Sequence, residues 1–541
     1  MFFILSACLI LSAISLVWFT LLSFGKQVPT RGGELNEGVV GYPGFVNPLL
    51  SITNSGKDLS LLTYSGLTKV NTEGNIVPDL AESYTISDDG KTYTFILRKD
   101  IVFHDNQPIT AQDVLFTIEK AKDPKVKSPV ASNWRGVEVK IVDAQTIQFI
   151  LKTPYAPFIE NTTLGILPKH IWESADIDQF TFSPYNFNPI GSGPYKVLDV
   201  KRDSKGVIVY YKLTAFDKYA PGIKNISNIY IHFYEDEQAL INAIKKGEVQ
   251  SSSDVSPEEA KKLEQAGFVI KTTPLLRIFG AFFNQNQATI FTNKEVRQAL
   301  QMAVDRNEII DRVLYGYGTE ESSPIPQSST ITTSNTTSTD RIGDAKALLA
   351  KNGWKLNAQG VMEKKNKKQT QNLSFTITTS NNPDLTKTAE ILKEEWNKIG
   401  ANVTVVTLDP SELNQNVIRP RKYDVLLFGE VVGRGSDLYP FWHSSERKDP
   451  GLNIALYTNS NADKLLEKIR ASTNATDATK SLSSLQSMIA SDVPAIFIYS
   501  PELTYVVPKE LKNMNLPSLE ITSERWIGIF EAYLKTKTVW N

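Results

Sequence analysis

Cysteine is almost absent. A single Cys8 in 541 residues excludes an intrachain disulfide and any cysteine-ligated zinc centre. Histidine is scarce too: His104, His170, His232 and His443 are scattered singly, so no pair stands at metal-ligand or acid–base spacing. Nor is there an excess of one charge. Lys plus Arg total 58 against 59 for Asp plus Glu, which removes the basic surplus that a phosphate backbone attracts and argues against nucleic acid as a partner. The chain has no G-x-S-x-G elbow, Walker A loop, H-E-x-x-H pair or C-x-x-C motif. Gly191-Ser192-Gly193 mimics a phosphate loop, but Pro194 and Tyr195 follow where a helix should open, so it reads as a tight turn feeding a strand. Gly316-Tyr317-Gly318 and Gly433-Arg434-Gly435 fail to continue as dinucleotide fingerprints. The expectation is a chain with no metal, no cofactor and no catalytic residue, although acids distant in sequence can still converge in space.

What is present is an ordinary packed chain, with 41% hydrophobic, 10% aromatic and 22% charged residues. At roughly 150 residues per domain its length allows three or four units. Met1 to Gly25 carries no charged side chain, and a helix of that stretch would be about 36 Å long, enough to cross a hydrocarbon core of roughly 30 Å. No basic n-region or small-x-small cleavage site marks a secretory signal, and at Leu5-Ser6-Ala7-Cys8 the apolar run follows the cysteine instead of preceding it. The reading is therefore an uncleaved signal-anchor over residues 1–30, including a short linker, with everything beyond outside the cytoplasm. Lys26 and Arg31 on the distal flank oppose that orientation mildly. Residues 31–541 contain no second long apolar run.

Turn chemistry and periodicity place the elements. Asp88-Asp89-Gly90-Lys91 between Tyr84-Thr85-Ile86 and Thr92 to Leu97 predicts a hairpin. Thr110 with Asp113, stapled by Ile109 and Val114, predicts a helix start, and the same device recurs at Thr292 with Glu295, Phe291 and Val296. Asp305 with Glu308 caps a further helix that closes at Gly316. Leu373 to Thr378, the helix face Ala389, Leu392, Trp396 and Ile399, the strand with Val403, Val405 and Val406, and Tyr423 to Phe428 alternate as strand, helix, strand, strand. That is a βαβ unit with parallel pairing. Ser322 to Thr339 reads as an exposed loop, and no internal repeat is visible.

One series of segments is recognisable. Leu62-Thr63-Tyr64-Ser65-Gly66-Leu67 runs on to Pro78-Asp79-Leu80-Ala81-Glu82-Ser83-Tyr84, then to Asp88-Asp89-Gly90-Lys91-Thr92-Tyr93-Thr94-Phe95 and Phe103-His104-Asp105. Pro189 to Tyr195, Phe283-Asn284, Val296-Arg297-Gln298-Ala299-Leu300, Ala303-Val304-Asp305-Arg306 and Gly353-Trp354 follow in order. The string resembles the family 5 extracellular solute-binding proteins, the peptide-binding components of ABC importers, over nearly the whole chain after residue 31. The resemblance implies an α/β fold, two-lobed and periplasmic-binding-protein-like, of the class II type with an extra subdomain. Carried over, lobe I would comprise 31–72, 183–279 and 490–541, the extra subdomain 73–182, and lobe II 280–489, with ligand in the cleft between lobes.

The resemblance also implies binding residues. A receptor for many peptides must grip main-chain groups and the terminal ammonium, and in peptide-binding members an aspartate just after a Gly-rich loop of the second lobe anchors that ammonium. The matching stretch here is Gly429 to Trp442, so Asp437 is the expected anchor, with helix or turn capping as its plain alternative. Its spacing to the following proline and aromatics departs from the usual pattern, which leaves the ligand open. Arg434 and Gly435 are expected to line the same cleft, Arg434 pairing a ligand carboxylate, with a solvated surface arginine as its alternative. Asn54, Asn133, Trp134, Tyr499 and Trp442 complete the expected set, with core packing the alternative for the aromatic ones. The expected function is a monomeric, membrane-anchored, extracytoplasmic receptor that captures peptides and delivers them to an ABC permease, with no chemistry on the ligand. The alternatives are a same-fold receptor for a sugar, an opine or a nickel complex, a surface sensor or chaperone module, and a hydrolase built from convergent acids.

Overall fold

A computed structural model describes residues 6–7, 9–13, 15, 25–222, 224–326, 340–366, 369–472 and 474–540. Three sheets carry the architecture. The first is four-stranded, in the order Glu34–Val40, Asn228–Tyr234, Ile208–Ala215 and Tyr195–Arg202. Its outer strand Glu34–Val40 runs parallel to Asn228–Tyr234, and the other pairings are antiparallel. The second sheet is an antiparallel set of Ala81–Ile86, Thr92–Leu97, Thr146–Ile150 and Glu138–Ile141, and it contains the hairpin that the Asp-Asp-Gly-Lys turn predicts. Both sheets bury their inner faces in one core of residues between Leu35 and Leu275, joined by Leu503 to Ala532.

The third sheet belongs mostly to the second lobe. Ser374–Ser380 pairs in parallel with Asn402–Leu408 and with Val425–Val431, and Pro383–Lys398 is the crossover helix, as the strand–helix–strand pattern requires. Parallel strands are covered on both faces. Accordingly Val425 and Leu427 enter one core of this lobe while Leu426 enters the other. The strand Ala495–Val507 ties the lobes together. Ala495 to Tyr499 pairs with Arg277–Phe283 and packs in the second lobe, whereas Glu502 to Val507 pairs with Val269–Pro274 and faces the first. At the crossing, Leu275 N donates to Pro501 O at 3.0 Å and Ser500 Oγ donates to Leu275 O at 2.7 Å. The expected boundary at 279/280 thus falls inside the strand Arg277–Phe283, and that at 489/490 inside the helix Ala475–Asp492.

Local signals fared unequally. Thr110 caps Ala111–Lys122 with a full capping box, Asp113 returning to the Thr110 N–H at 2.9 Å. Asp305 caps Arg306–Leu314, although the left-handed residue that closes it is Tyr315 and not Gly316. Thr292 does not cap: the preceding turn Thr289–Thr292 is 3₁₀, its hydroxyl donates to Thr289 O at 2.7 Å, and the helix Lys294–Ala303 starts from Asn293. Residues 191–193, expected as a tight turn, are an irregular segment that bends at Gly193 and Pro194 before Tyr195–Arg202.

The N-terminal expectation is corrected at its linker. Of residues 1–24, residues 6, 7, 9–13 and 15 are described, all helical, and the rest, Cys8 included, lies outside the described residues. Among the described residues no helix is long and apolar enough to cross a membrane. The residues expected to be a linker are instead the strand Gly25–Thr30, paired antiparallel with Lys535–Trp540, because the chain's far end returns to meet it. Most of the loop expected at 322–339 lies outside the described residues.

Candidate functional site

The two lobes meet at the loop that follows Val425–Val431. Gly433 (φ 74°) turns the chain back after Val432, and Arg434 then crosses to the other lobe. Its Nη1 and Nη2 grip Glu524 bidentately at 2.7 Å each, and Nη2 also donates to Ser518 O at 2.9 Å. The Arg434 N–H donates to Glu520 Oε1 at 2.6 Å, so backbone and side chain of one residue hold both acids. Burial alone would lower the guanidinium pKa, but the Glu524 bonds outweigh it and the net direction is up. Gly435 comes next because nothing larger fits: a Cβ there would lie 2.6 Å from Glu160 Oε1.

Asp437 is enclosed by one cation and two tyrosine rings. Its Oδ2 accepts from Arg470 Nη2 at 2.8 Å and Nε at 3.2 Å, and from the Tyr155 hydroxyl at 3.4 Å across the lobe junction. Its Oδ1 accepts the Tyr439 N–H at 3.2 Å, so it also performs the turn capping named as its alternative role. The Arg470 guanidinium lies 4.2 Å from the Tyr439 ring centre and 5.1 Å from that of Tyr155, and Tyr439 stacks on His443 at 4.1 Å. Arg470 O also accepts the Ala156 N–H at 3.1 Å. The Tyr155 hydroxyl is pushed up to about 12 by burial, with Asp437 adding to it.

Four carboxylates, those of Glu160, Asp437, Glu520 and Glu524, thus face two guanidiniums across the junction. The imbalance is visible in Glu160. Burial first, then Glu520, push its carboxyl up to about 7, and the Gly435 N–H and Arg434 only partly offset this. Glu520 is raised for the same two kinds of reason, burial and then Glu524. The junction therefore has unmet demand for positive charge. On the first-lobe side, a cavity of about 260 Å³ adjoins Glu524, lined among others by Lys57, Tyr64, Ser65, Thr163 and Ser523. The Tyr64 and Ser51 hydroxyls on its wall are buried without a protein partner. Among the described residues, no group of three or more His, Cys, Asp or Glu is arranged to hold a metal ion.

The structure divides the expected residues into two groups. Arg434, Gly435 and Asp437 come together at the junction, but Arg434 is committed to Glu524 and not open to a ligand carboxylate. Trp134, Trp442 and Tyr499 are at most 1% exposed and belong to cores. Trp134 packs between Phe149 and Phe158, Trp442 against Phe497, and Tyr499 on Phe279. An aromatic buried to that degree has no face left for a ligand. Asn54 and Asn133 are exposed, and the backbone carbonyl of each takes a protein hydrogen bond, from Ser523 Oγ and Asn161 Nδ2. The residues missed are Tyr155, Glu160, Arg470, Glu520 and Glu524. No local motif marks them, and the pattern that unites them exists only in space.

Comparison with known proteins places this geometry. Residues 75–450 match the sequence profile of the bacterial extracellular solute-binding proteins, family 5. The chain is 30% identical over 507 residues to the oligopeptide-binding protein AppA of Bacillus subtilis, covering 91% of this chain and 90% of that protein. It is 26% identical over 502 residues to the dipeptide-binding protein of Escherichia coli, covering 87% and 90%. Among solved structures, the substrate-binding protein CtaP of Listeria monocytogenes superposes with a TM-score of 0.77 at 28% identity, covering 93% of this chain and all (100%) of that one. AppA in complex with a nonapeptide gives 0.69 at 28%, covering 94% and 100%. NikZ of Campylobacter jejuni, in complex with Ni(L-His), gives 0.69 at 26%, covering 92% and 99%.

Proposed function

The chain belongs to the bacterial extracellular solute-binding proteins of family 5, and from that premise we propose that it captures peptides between its lobes and passes them to an ABC permease. It acts outside the cytoplasm, as a monomer, and performs no chemistry on the ligand. The observation that carries this reading is the junction itself. Carboxylates from both lobes outnumber the guanidiniums between them, so a ligand with a free ammonium finds charge it can satisfy only when both lobes contribute. Contacts made to both lobes favour the closed form by differential affinity, which is how such a receptor reports occupancy.

In this reading Asp437 remains the ammonium anchor, with Arg470 holding the carboxylate in place between two tyrosine rings until an ammonium shares it. Glu160, short of positive charge, is the second acid of that pole. Calorimetric titration tests both claims. A free-amine peptide should bind at least tenfold more tightly than its N-acetylated form, about the value of one charge-assisted hydrogen bond. Asp437→Ala should erase that difference, and equal loss for both peptides would exclude the anchor role. Failure of every free-amine peptide to bind would sink the reading itself. The likeness to NikZ supports one competing ligand, a nickel–histidine complex whose own donors hold the metal. Tighter binding of that complex than of any peptide would favour it.

Two structural readings accompany the function. The lobe boundaries are best drawn where the cores change hands, near Leu275–Arg277 and Ser500–Glu502, instead of at 279/280 and 489/490. The uncharged stretch before Lys26 serves as a membrane tether.

A further inference from the structure

Gly25–Thr30 and Lys535–Trp540 form a two-stranded ribbon of their own, joined to no other sheet. Residues directly opposite in an antiparallel pair share a face, and the face alternates along the strand. Lys26 with Val539, Val28 with Lys537, and Thr30 with Lys535 therefore lie on one side. Gln27 with Thr538 and Pro29 with Thr536 lie on the other, an assignment that the bond from Gln27 Nε2 to Thr538 Oγ1 at 2.8 Å fixes. One face consequently carries three lysines interleaved with two valines, and the ribbon, GKQVPT opposite KTKTVW, contains no carboxylate. The lysines are exposed and the valines half-buried. Among the described residues none of the three lysines forms an ion pair, whereas Arg31, just beyond the ribbon, is held by Asp217 at 2.6 Å.

Sequence adjacency says what this face meets. The residue before the ribbon, Phe24, ends a stretch with no charge and a composition suited to hydrocarbon. Tertiary structure then adds Lys535 and Lys537, from the other end of the chain, beside Lys26. We propose that this lysine face docks on an anionic lipid surface and so orients the first lobe against the membrane, an inference that rests on the tether reading above. Each basic residue held at an anionic leaflet strengthens association about fivefold, so the three together give roughly a hundredfold, and the valines between them suit the headgroup boundary. Within a Debye length the attraction is strong, and added salt removes it.

The test uses the full chain reconstituted in vesicles of phosphatidylcholine, with or without phosphatidylglycerol, and reads lysine acetylation by mass spectrometry. Lys26, Lys535 and Lys537 should lose reactivity about tenfold in the anionic vesicles, regain it at high salt, and show no such loss in neutral vesicles. Lys205 and Lys245, exposed on other parts of the first lobe, should react equally in both. Soluble glycerophosphate added to neutral vesicles should not reproduce the protection, and if it did the site would be one for free anions and the membrane proposal would fall. A chain that floats with both vesicles while its three lysines react equally overturns the ribbon proposal and leaves the tether standing. A chain that floats with neither overturns both.

Discussion

Arg525 has a side chain only 1% exposed, yet it holds two carboxylates at once. Nε and Nη2 donate to Glu37 at 3.0 and 2.8 Å, and Nη1 and Nη2 donate to Asp58 at 2.8 and 2.6 Å. The Tyr505 hydroxyl donates to the other Glu37 oxygen at 2.9 Å. Burial still pushes the Glu37 carboxyl up, so the site tolerates no loss of its one cation. Arg525→Met should destabilise the chain by about 3–5 kcal/mol in urea unfolding, since it leaves two buried acids uncompensated. A cost below about 1 kcal/mol would mean the acids find another partner or take up protons easily. Nothing in the sequence marks this arginine, because its partners lie 488 and 467 residues away.

Glu160 gives the second prediction at this scale. Its carboxyl is raised from 4.5 to about 7 in the folded chain. Between those values the folded protein holds a proton that the unfolded chain has lost, so the stability contribution is complete below 4.5 and declines as pH rises through about 7. Glu160→Gln removes that decline. The variant should match the wild type near pH 5 and melt a degree or two higher near pH 8, where the charged form is penalised. Glu395 is raised to about 7 by burial as well, so part of the wild-type slope should remain in the variant. A variant with the wild-type slope throughout would show that Glu160 is solvated in solution.

At the scale of elements, local chemistry was legible wherever the partners sit within a turn or two. The hairpin at Asp88 to Lys91, the capping box at Thr110 and the βαβ unit from Ser374 onward all formed as read. Thr292 failed although its residue pattern parallels that of Thr110: it ends a 3₁₀ turn and its hydroxyl donates back to Thr289 O. Gly191-Ser192-Gly193 was legible as a non-helical lead into a strand but not in its reason. The segment lies against the end of the helix Asn54–Thr63: a Cβ on Gly191 would stand 2.0 Å from Thr63 O, and Gly193 N donates to that same oxygen at 2.9 Å. Gly191→Ala should therefore cost about 1–3 kcal/mol through forced backbone movement, measured by the midpoint of urea unfolding. A neutral result would mean the helix end yields without strain.

The whole molecule adds the closure of one lobe on the other. Arg434 and Glu524 form a bidentate ion pair across the junction, with side chains 10% and 12% exposed. Opening must break this bidentate pair and return both charges to water. Arg434→Ala should therefore enlarge the radius of gyration of the ligand-free chain in X-ray scattering. It should also weaken apparent peptide affinity in proportion to the lost closed fraction. If the dimensions and the affinity were both unchanged, the pair would be incidental to closure. The same junction shows why the aromatic site expectations missed. Trp134, Trp442 and Tyr499 carry residue types common in ligand pockets, but each sits on a strand, helix or turn whose inner face a core already claims.

The sequence by itself determined the class of molecule: an α/β chain of family 5 type, with its strand and helix alternation, its caps and turns, and no motif for chemistry. These features depend on spacing along the chain, and spacing is what a sequence states. Tertiary structure alone decided which charges meet. Asp437 lies 33 residues from Arg470 and 282 from Tyr155, and Arg434 lies 90 from Glu524. Such pairs are selected by how two lobes and a returning C-terminal segment are threaded. Their energies come from burial and mutual approach, which no periodicity records.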